Sequence, residues 1–159
     1  MTWSSTWSSS RPWKPSRLLN DPVAEMGLKR FSVRTGEKTQ FVEISDEVAR
    51  IVSAAGVEEG ICQVSVPHTT AAVTVNENAD PSVVRDMLME LNKVIPFNDG
   101  YSHLEGNSAA HIKASLLGSA LTLPVSGGCL VLGRWQGLYF CEFDGPRTRT
   151  VQVQIVGSG

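Results

Sequence analysis

The chain has 159 residues, of which 42% are hydrophobic and 19% charged, and its formal net charge is -2. This size and apolar content suit one globular domain with its own core, and the slightly acidic balance argues against electrostatic binding of nucleic acid. Because no apolar run approaches the roughly 20 residues that span a bilayer, we expect a soluble protein of the cytoplasm with neither a nucleic-acid nor a membrane partner.

Residues 1–25 differ in composition from everything that follows. They hold Trp3, Trp7 and Trp13, five serines in the first ten positions and two prolines by position 15. Such a composition predicts little regular structure. We therefore treat residues 1–25 as a disordered or added leader and expect a single domain over residues 26–159.

The first regular elements are predicted after residue 26. Apolar and polar residues alternate from Leu28 to Val33 and again from Phe41 to Ile44, with a turn-like break at residues 35–37. This pattern predicts a β-hairpin. Ser45 is a candidate N-cap for a helix that ends at Gly56.

The next segment is expected to form two strands and a helix. Strand-like runs cover residues 61–66 and 71–75, and His68 lies in the break between them. Asp80 and the proline that follows are typical of a helix start, and that helix is expected to reach Val94. The residues expected on its buried stripe are Val83, Met87, Leu91 and Val94.

A third helix is predicted from Ser108 to Leu117, with Asn107 as its cap and Gly118 as its stop. Asn107, His111 and Ser115 recur every four residues and share one side of this helix. Ile112 and Leu116 are expected to face the core. Strands are then predicted at residues 120–125, 129–132, 138–143 and 151–156, which completes an α+β fold with an antiparallel β-sandwich-like core and about three inserted helices.

The three cysteines, Cys62, Cys129 and Cys141, show no C-x-x-C spacing. An odd number without paired spacing favours neither a disulfide framework nor a thiolate zinc site. We expect all three to be buried free thiols.

The clearest functional signal is the clustering of all three histidines, His68, His103 and His111, between residues 66 and 118. Histidine transfers protons near neutral pH and, when neutral, ligates metals, so these residues are candidates for catalysis or for a divalent Mg²⁺ or Zn²⁺ site. The alternative is a chance cluster, with His111 on the surface beside Lys113.

An anion site is predicted where His103, Glu105 and Asn107 precede the third helix, because free backbone amides at a helix N-terminus favour phosphate or carboxylate. No phosphate-loop glycine motif accompanies it. Ser115 is either a substrate ligand or a helix residue bonded to its own backbone.

Three further groups are candidate ligands. Asn76 and Asp80 lie at the end of a strand, where they serve either a substrate or the turn and the helix cap. Arg134, Trp135 and Gln136 lie between two glycines, a loop suited to stacking and hydrogen-bonding a flat ring, with core filling by the indole as the alternative. Glu142 has the same strand parity as Leu138 and Phe140, so its burial would demand a cation or a hydrogen-bond partner.

Several ordered segments resemble the YjbQ family over residues 26–159. The segments are His68-Thr69-Thr70-Ala71-Ala72, Asn76-Glu77-Asn78-Ala79-Asp80-Pro81, Glu105-Gly106-Asn107, Ala110-His111-Ile112-Lys113-Ala114-Ser115-Leu116-Leu117-Gly118 and Trp135-Gln136-Gly137. One departure is Arg134, where the family usually has threonine. The resemblance implies an α+β subunit with a β-sandwich core, a homotrimer, and a pocket that gathers the shared polar residues.

The resemblance also implies secondary thiamine-phosphate synthase activity, which joins hydroxymethylpyrimidine diphosphate to thiazole phosphate and releases pyrophosphate. The hypothesis places His68 and His111 at the transferred group or a divalent metal, Asn107 on phosphate, and Glu142 as an orienting carboxylate. Trp135 and Gln136 would hold the pyrimidine. Two alternatives stay open: a non-catalytic trimer that binds a small anion or metabolite, and a metal-dependent hydrolase, although no H-E-x-x-H motif is present.

Overall fold

The computed structural model describes residues 27–157, so the predicted leader lies outside the described residues. These residues form eight strands and three helices. In chain order they are β1 (Lys29–Arg34), β2 (Gln40–Glu43), α1 (Ser45–Ala54), β3 (Glu59–Ser65), β4 (Ala71–Glu77), α2 (Pro81–Val94), α3 (Ser108–Leu117), β5 (Ala120–Ser126), β6 (Cys129–Leu130), β7 (Gln136–Glu142) and β8 (Thr148–Gly157).

The strands form two antiparallel sheets. One has five strands in the order β1-β8-β3-β5-β6, and the other has three in the order β2-β7-β4. The prediction of an α+β fold with a β-sandwich-like core and three inserted helices is therefore confirmed.

The strand β7 is buried on both faces and separates two hydrophobic clusters. Leu138 and Phe140 point between the sheets, where they pack with Val64 and Val153 of the five-stranded sheet. Tyr139 and its same-parity neighbours point the other way. Because side chains alternate between the two faces of a strand, β7 contributes to both clusters, and its sheet is the middle layer of the subunit.

Helices α2 and α3 form the third layer, against the outer face of the three-stranded sheet. Ala110 and Ala114 of α3 pack in one cluster with Ala72 of β4. Met87 and Leu91 of α2 pack at the edge of the same cluster. Small side chains let α3 lie close to β4, and this contact brings the polar residues of α3 next to the segment before β4.

The predicted hairpin of the first two strands is wrong. The strand β1 pairs with β8, whereas β2 pairs with β7 in the other sheet. The alternation was read correctly as two strands, but alternation does not identify the partner strand. Ser45 likewise does not cap α1, because its hydroxyl instead accepts a hydrogen bond from the Leu138 amide at 2.8 Å.

The predicted buried faces of α2 and α3 are only partly correct. On α3, Ile112 and Leu116 are exposed, Leu116 by 68%, while Lys113 has no exposed surface. On α2, Met87 and Leu91 pack inward as predicted, but Val94 is 67% exposed. Packing against β4 selects the alanine face of α3 over its larger apolar side chains.

Cys62 and Cys141 are buried free thiols as predicted, and burial raises the pKa of Cys62 to about 11. Cys129 is exposed, because it lies on the two-residue edge strand β6, so the prediction of burial is wrong there. Among residues 27–157, no helix is both long and apolar enough to cross a membrane.

Candidate functional site

The structure brings His68, His111 and Ser115 together around one cleft, called here the histidine cleft. Its volume is about 480 Å³. The residues that line it are His68, Thr69, Ala71, His111, Ala114, Ser115, Gly118 and Ser119. Among these described lining residues none is Asp or Glu, and several carry N–H or O–H donors, so the cleft suits an anion.

Two segments position the histidine cleft. His68 lies in the crossover by which the chain leaves β3 in one sheet and enters β4 in the other. The Val66 amide donates to the Ser119 carbonyl and the Val73 amide to the Gly118 carbonyl, which ties the crossover to the end of α3. Gly118 has a positive φ of 97°, a conformation that favours glycine at this turn.

A second cleft adjoins the first and also contains His111. Its volume is about 550 Å³, and its lining residues are Tyr101, Ser102, His103, Ser108, His111 and Ile112. The His103 and His111 rings are nearly perpendicular, with centroids 5.6 Å apart. This second cleft, called here the serine cleft, also has no Asp or Glu among its described lining residues. Its lining surface is mostly apolar, with a few hydroxyl and imidazole groups, and His111 borders both clefts.

The predicted phosphate ligands Glu105 and Asn107 flank the serine cleft without lining it. Glu105 Oε2 lies 3.8 Å from His103 Nε2, and its side chain is largely exposed. Asn107 donates to Asp144 at 3.2 Å, and its side chain does not cap α3. Its buried Oδ1 atom has no hydrogen-bond partner among the described residues.

Glu142 lies inside the sandwich and not at either cleft. Its carboxylate accepts two hydrogen bonds from Arg149, at 2.7 and 2.6 Å, and one from the Thr35 hydroxyl at 3.2 Å. The Phe143 and Asp144 amides complete the set. Burial alone would raise the pKa of Glu142, but the hydrogen bonds from Arg149 and the Asp144 amide, with the Arg149 charge and Thr35, lower it.

The remaining predicted ligands lie at the opposite end of β4 and β7. In the β4–β7 register Ala71 pairs with Glu142 near the histidine cleft, whereas Glu77 pairs with Gln136. Six residue steps along a strand separate the ends by about 20 Å. We call this end of the two strands the tryptophan end. It contains Asn76, Asp80, Arg134, Trp135 and Gln136, all of which are exposed.

Local structure accounts for several contacts at the tryptophan end. Asp80 accepts the Ser82 amide at 2.8 Å as the cap of α2. Gln136 accepts the Gly133 amide at 2.7 Å and closes the loop around Trp135, whose side chain is 56% exposed. The indole is therefore not core filler in the subunit.

Lys113 is the largest fully buried side chain on α3, and no role was predicted for it from the sequence. Its amine donates to Asn92 at 2.6 Å and lies 4.1 Å from the centre of the Phe97 ring, which Lys38 also contacts. Burial and then the Lys38 charge lower the pKa of Lys113 to about 8. The only signal in the sequence was its spacing from Ala109 and Ala110.

The predicted metal ligands do not form a three-ligand cluster. Within residues 27–157, no group of three His, Cys, Asp or Glu side chains is placed to hold a metal ion. In addition, His68 Nε2 already accepts the Thr150 amide at 2.9 Å. A Mg²⁺ or Zn²⁺ site on His68, His103 and His111 stays a prediction.

Sequence comparison shows the family to which the chain is related. Residues 29–158 match the family model described as UPF0047 protein YjbQ-like. A UPF0047 protein of Methanocaldococcus jannaschii is 45% identical over 130 residues, which cover 82% of this chain and 94% of the relative. The UPF0047 protein YugU of Bacillus subtilis is 44% identical over 131 residues, covering 82% and 99%.

Solved structures have the same fold. An uncharacterised conserved protein of the YjbQ/UPF0047 family from Clostridium acetobutylicum matches with a TM-score of 0.79 and 51% identity, over 80% of this chain and 99% of that one. A hypothetical protein from Aeropyrum pernix matches with a TM-score of 0.80 and 36% identity, over 84% and 100%.

Proposed function

The chain belongs to the YjbQ-like UPF0047 family, and from the geometry of its clefts we propose that it transfers a group between phosphorylated small molecules. Thiamine-phosphate synthesis is the reaction that the family resemblance implies, and we propose it as the specific activity. The observation that carries the proposal is the pair of adjoining clefts that share His111 and have no carboxylate among their described lining residues. Two adjoining clefts without lining carboxylates suit two anionic substrates held side by side.

The proposed reaction needs help with the departing charge. The thiazole ring nitrogen forms a bond to the methylene carbon of the pyrimidine while the bond from that carbon to the diphosphate oxygen breaks. The bonding pair leaves with pyrophosphate, and no proton has to be removed from the ring nitrogen. Donors aimed at the leaving oxygens are therefore the main catalytic requirement.

The two clefts divide these tasks between them. His68, His111 and Ser115 would hold the diphosphate in the histidine cleft, and the serine cleft would take the thiazole phosphate beside His103. Asn107 would support the second phosphate from the rim. A Mg²⁺ ion would enter bound to the diphosphate as part of the substrate. Phosphorylated substrates of this kind fit a place of action in the cytoplasm.

We further propose that the protein assembles as a homotrimer. An apolar cleft of about 360 Å³ lies between α2 and α3, and its lining includes Leu91, Val94, Leu116 and Leu117. The family resemblance implies a second copy as the occupant of this cleft, and the exposure of Leu116, next to Ser115 of the histidine cleft, supports that proposal. A copy on this surface would border the histidine cleft.

Assembly also gives the tryptophan end a route to the substrate. Trp135 and Gln136 lie about 20 Å along the sheet from the histidine cleft of their own subunit. In the proposal, these two residues contact the pyrimidine from a neighbouring copy. Arg134, the residue that departs from the family pattern, would then add a positive charge at the subunit boundary.

The test is thiamine-phosphate formation by purified protein, with and without added Mg²⁺ or Zn²⁺. His111→Ala is expected to lower the rate at least 100-fold, because His111 contacts both clefts. Lys93→Ala, an exposed change on α2, is the control and should retain the wild-type rate.

Product formation at equal rates by wild type and His111→Ala would contradict the proposed site. No product from wild type, together with pyrophosphate binding, would instead support a non-catalytic anion-binding protein. Metal that survives dialysis of wild type and is lost from the His111 variant would support the metal-dependent hydrolase.

A further inference from the structure

His68 is fixed by an unusual partner, a backbone amide of β8. The Thr150 N–H donates to His68 Nε2 at 2.9 Å. The pairing of β8 with β3 ends at Gln152. The Thr150 amide, two residues earlier in β8, therefore has the His68 imidazole as its acceptor in place of a β3 carbonyl. A backbone N–H can only donate, and Nε2 must therefore carry a lone pair and no hydrogen.

This hydrogen bond determines the protonation state of the ring. A neutral imidazole carries one hydrogen, which must then be on Nδ1. An imidazolium would carry hydrogens on both nitrogens and would leave the Thr150 amide without its acceptor. Burial and then the Arg149 charge lower the pKa of His68, which favours the neutral ring that this hydrogen bond requires.

One buried network holds both partners of this bond. Arg149, which precedes Thr150, donates to Glu142 and also to the Thr70 hydroxyl at 2.9 Å. Thr70 lies two residues after His68. The network therefore connects the segment that holds His68 with the segment that holds the Thr150 amide, and all of its side chains are buried.

We propose that His68 is held as the Nδ1–H tautomer and that this N–H is a fixed hydrogen-bond donor to an oxygen of the anion in the histidine cleft. Glu142 and Arg149 are then positioning residues. The identity of the acceptor rests on the proposed function, whereas the tautomer does not. A ring held in this way neither takes a proton nor binds a metal without losing the Thr150 bond.

The tautomer is measured directly by two-bond ¹H–¹⁵N correlation spectra of ligand-free, histidine-labelled protein near neutral pH. The His68 signals are assigned by their absence from the His68→Gln variant. The expected result is a protonated Nδ1 and an unprotonated Nε2. A spectrum of the Nε2–H tautomer, or of the imidazolium, would overturn the inference.

The positioning role is tested with Thr70→Val, which keeps the side-chain volume and removes the hydroxyl that Arg149 contacts. In the folded variant the Nδ1–H form is expected to lose population to the other tautomer. An unchanged His68 spectrum would show that Arg149 and Glu142 do not position His68.

Two variants then separate the nitrogens in binding of inorganic pyrophosphate. His68→Asn retains a donor near the Nδ1 position, whereas His68→Gln retains an acceptor near the Nε2 position. We expect the Asn variant to bind within about threefold of wild type and the Gln variant to bind about tenfold more weakly, which is the effect of losing one hydrogen bond to a charged group. The reverse order would contradict the donor role.

Different results would overturn the proposed function and the inference about His68. Absence of pyrophosphate binding by wild type would refute the proposed function. The tautomer measurement would still decide the inference about His68, because it is made without ligand.

Discussion

Lys113 combines complete burial with a mostly uncharged environment. Its amine contacts the Asn92 amide oxygen and the Phe97 ring, and none of the described carboxylates forms an ion pair with it. Its pKa is lowered to about 8 in the folded protein, by burial first and by Lys38 second. Between about pH 8 and the ordinary lysine value near 10.4, the folded chain therefore binds fewer protons than the unfolded chain, and stability rises with pH.

Lys113→Met is expected to remove this part of the pH dependence. From pH 7 to pH 10, the free energy of unfolding should rise more for wild type than for the variant, by about 2 kcal/mol. Urea unfolding at several pH values measures the difference, and Lys93→Met serves as the exposed control. Parallel curves for wild type and Lys113→Met would show that the buried amine is not desolvated.

Glu142 was predicted from the sequence as an orienting carboxylate, and in the fold it lies in a buried ion pair with Arg149. Its carboxylate neutralises Arg149 inside the sandwich, so Glu142→Gln leaves a buried guanidinium without its counter-charge. We expect a loss of about 3–5 kcal/mol in the free energy of unfolding. Glu90→Gln, which breaks the exposed pair with Lys93, should cost less than about 1 kcal/mol. Equal costs measured in urea would contradict the account.

At the scale of the elements, α2 begins where sequence chemistry predicts. Asp80 caps the helix through the Ser82 amide, and Pro81 occupies its first position. Asp80→Ala should cost about 1 kcal/mol in thermal or urea unfolding, while Asp80→Asn, which retains an acceptor, should cost less. A loss of pyrophosphate binding in the folded Asn variant would show that Asp80 also serves the ligand.

The helix α3 shows what local sequence cannot specify. Its bounds, Ser108 to Leu117, were predicted correctly from Asn107 and Gly118, although the Asn107 side chain forms no cap hydrogen bond. Its buried face was not, because the closeness of α3 to β4 selects alanines and admits Lys113, while Ile112 and Leu116 remain outside. That selection depends on a strand some 40 residues earlier in the chain, and helical periodicity does not contain it.

For the strands, too, the positions could be predicted from local sequence but the pairing could not. Alternation located β1 and β2, and turn residues separated them, but their partners are β8 and β7 at the far end of the chain. Adjacent strands pair often enough to make a hairpin the natural expectation. Here the connection crosses from one sheet to the other, as the His68 segment does between β3 and β4.

For the whole molecule, the exposed apolar residues of α2 and α3 support self-association. Leu116→Glu places a charge in the apolar cleft and is expected to convert a trimer into monomers, as measured by light scattering during size-exclusion chromatography. Leu104→Glu is the matched control, because Leu104 is fully exposed and lies outside that cleft. A wild-type mass of one subunit would refute the proposed trimer.

The sequence predicted part of the grouping that is observed in the candidate site. His68 was expected in a pocket and His111 and Ser115 on one helix face, and the fold joins them in the histidine cleft. The separation of Trp135 and Gln136 from that cleft could not be predicted. It follows from the register of β4 with β7, which determines the end of the strands at which each residue lies.

Calorimetric titration of the assembled protein with inorganic pyrophosphate, comparing wild type with His111→Ala, tests whether the two clefts form an anion site. We expect binding by wild type and at least tenfold weaker binding by the variant, at unchanged oligomeric mass. Lys93→Ala should bind like wild type, because it removes a positive charge outside the clefts. Equal affinities for wild type and His111→Ala, or no binding by wild type, would contradict the assignment of the two clefts as an anion site.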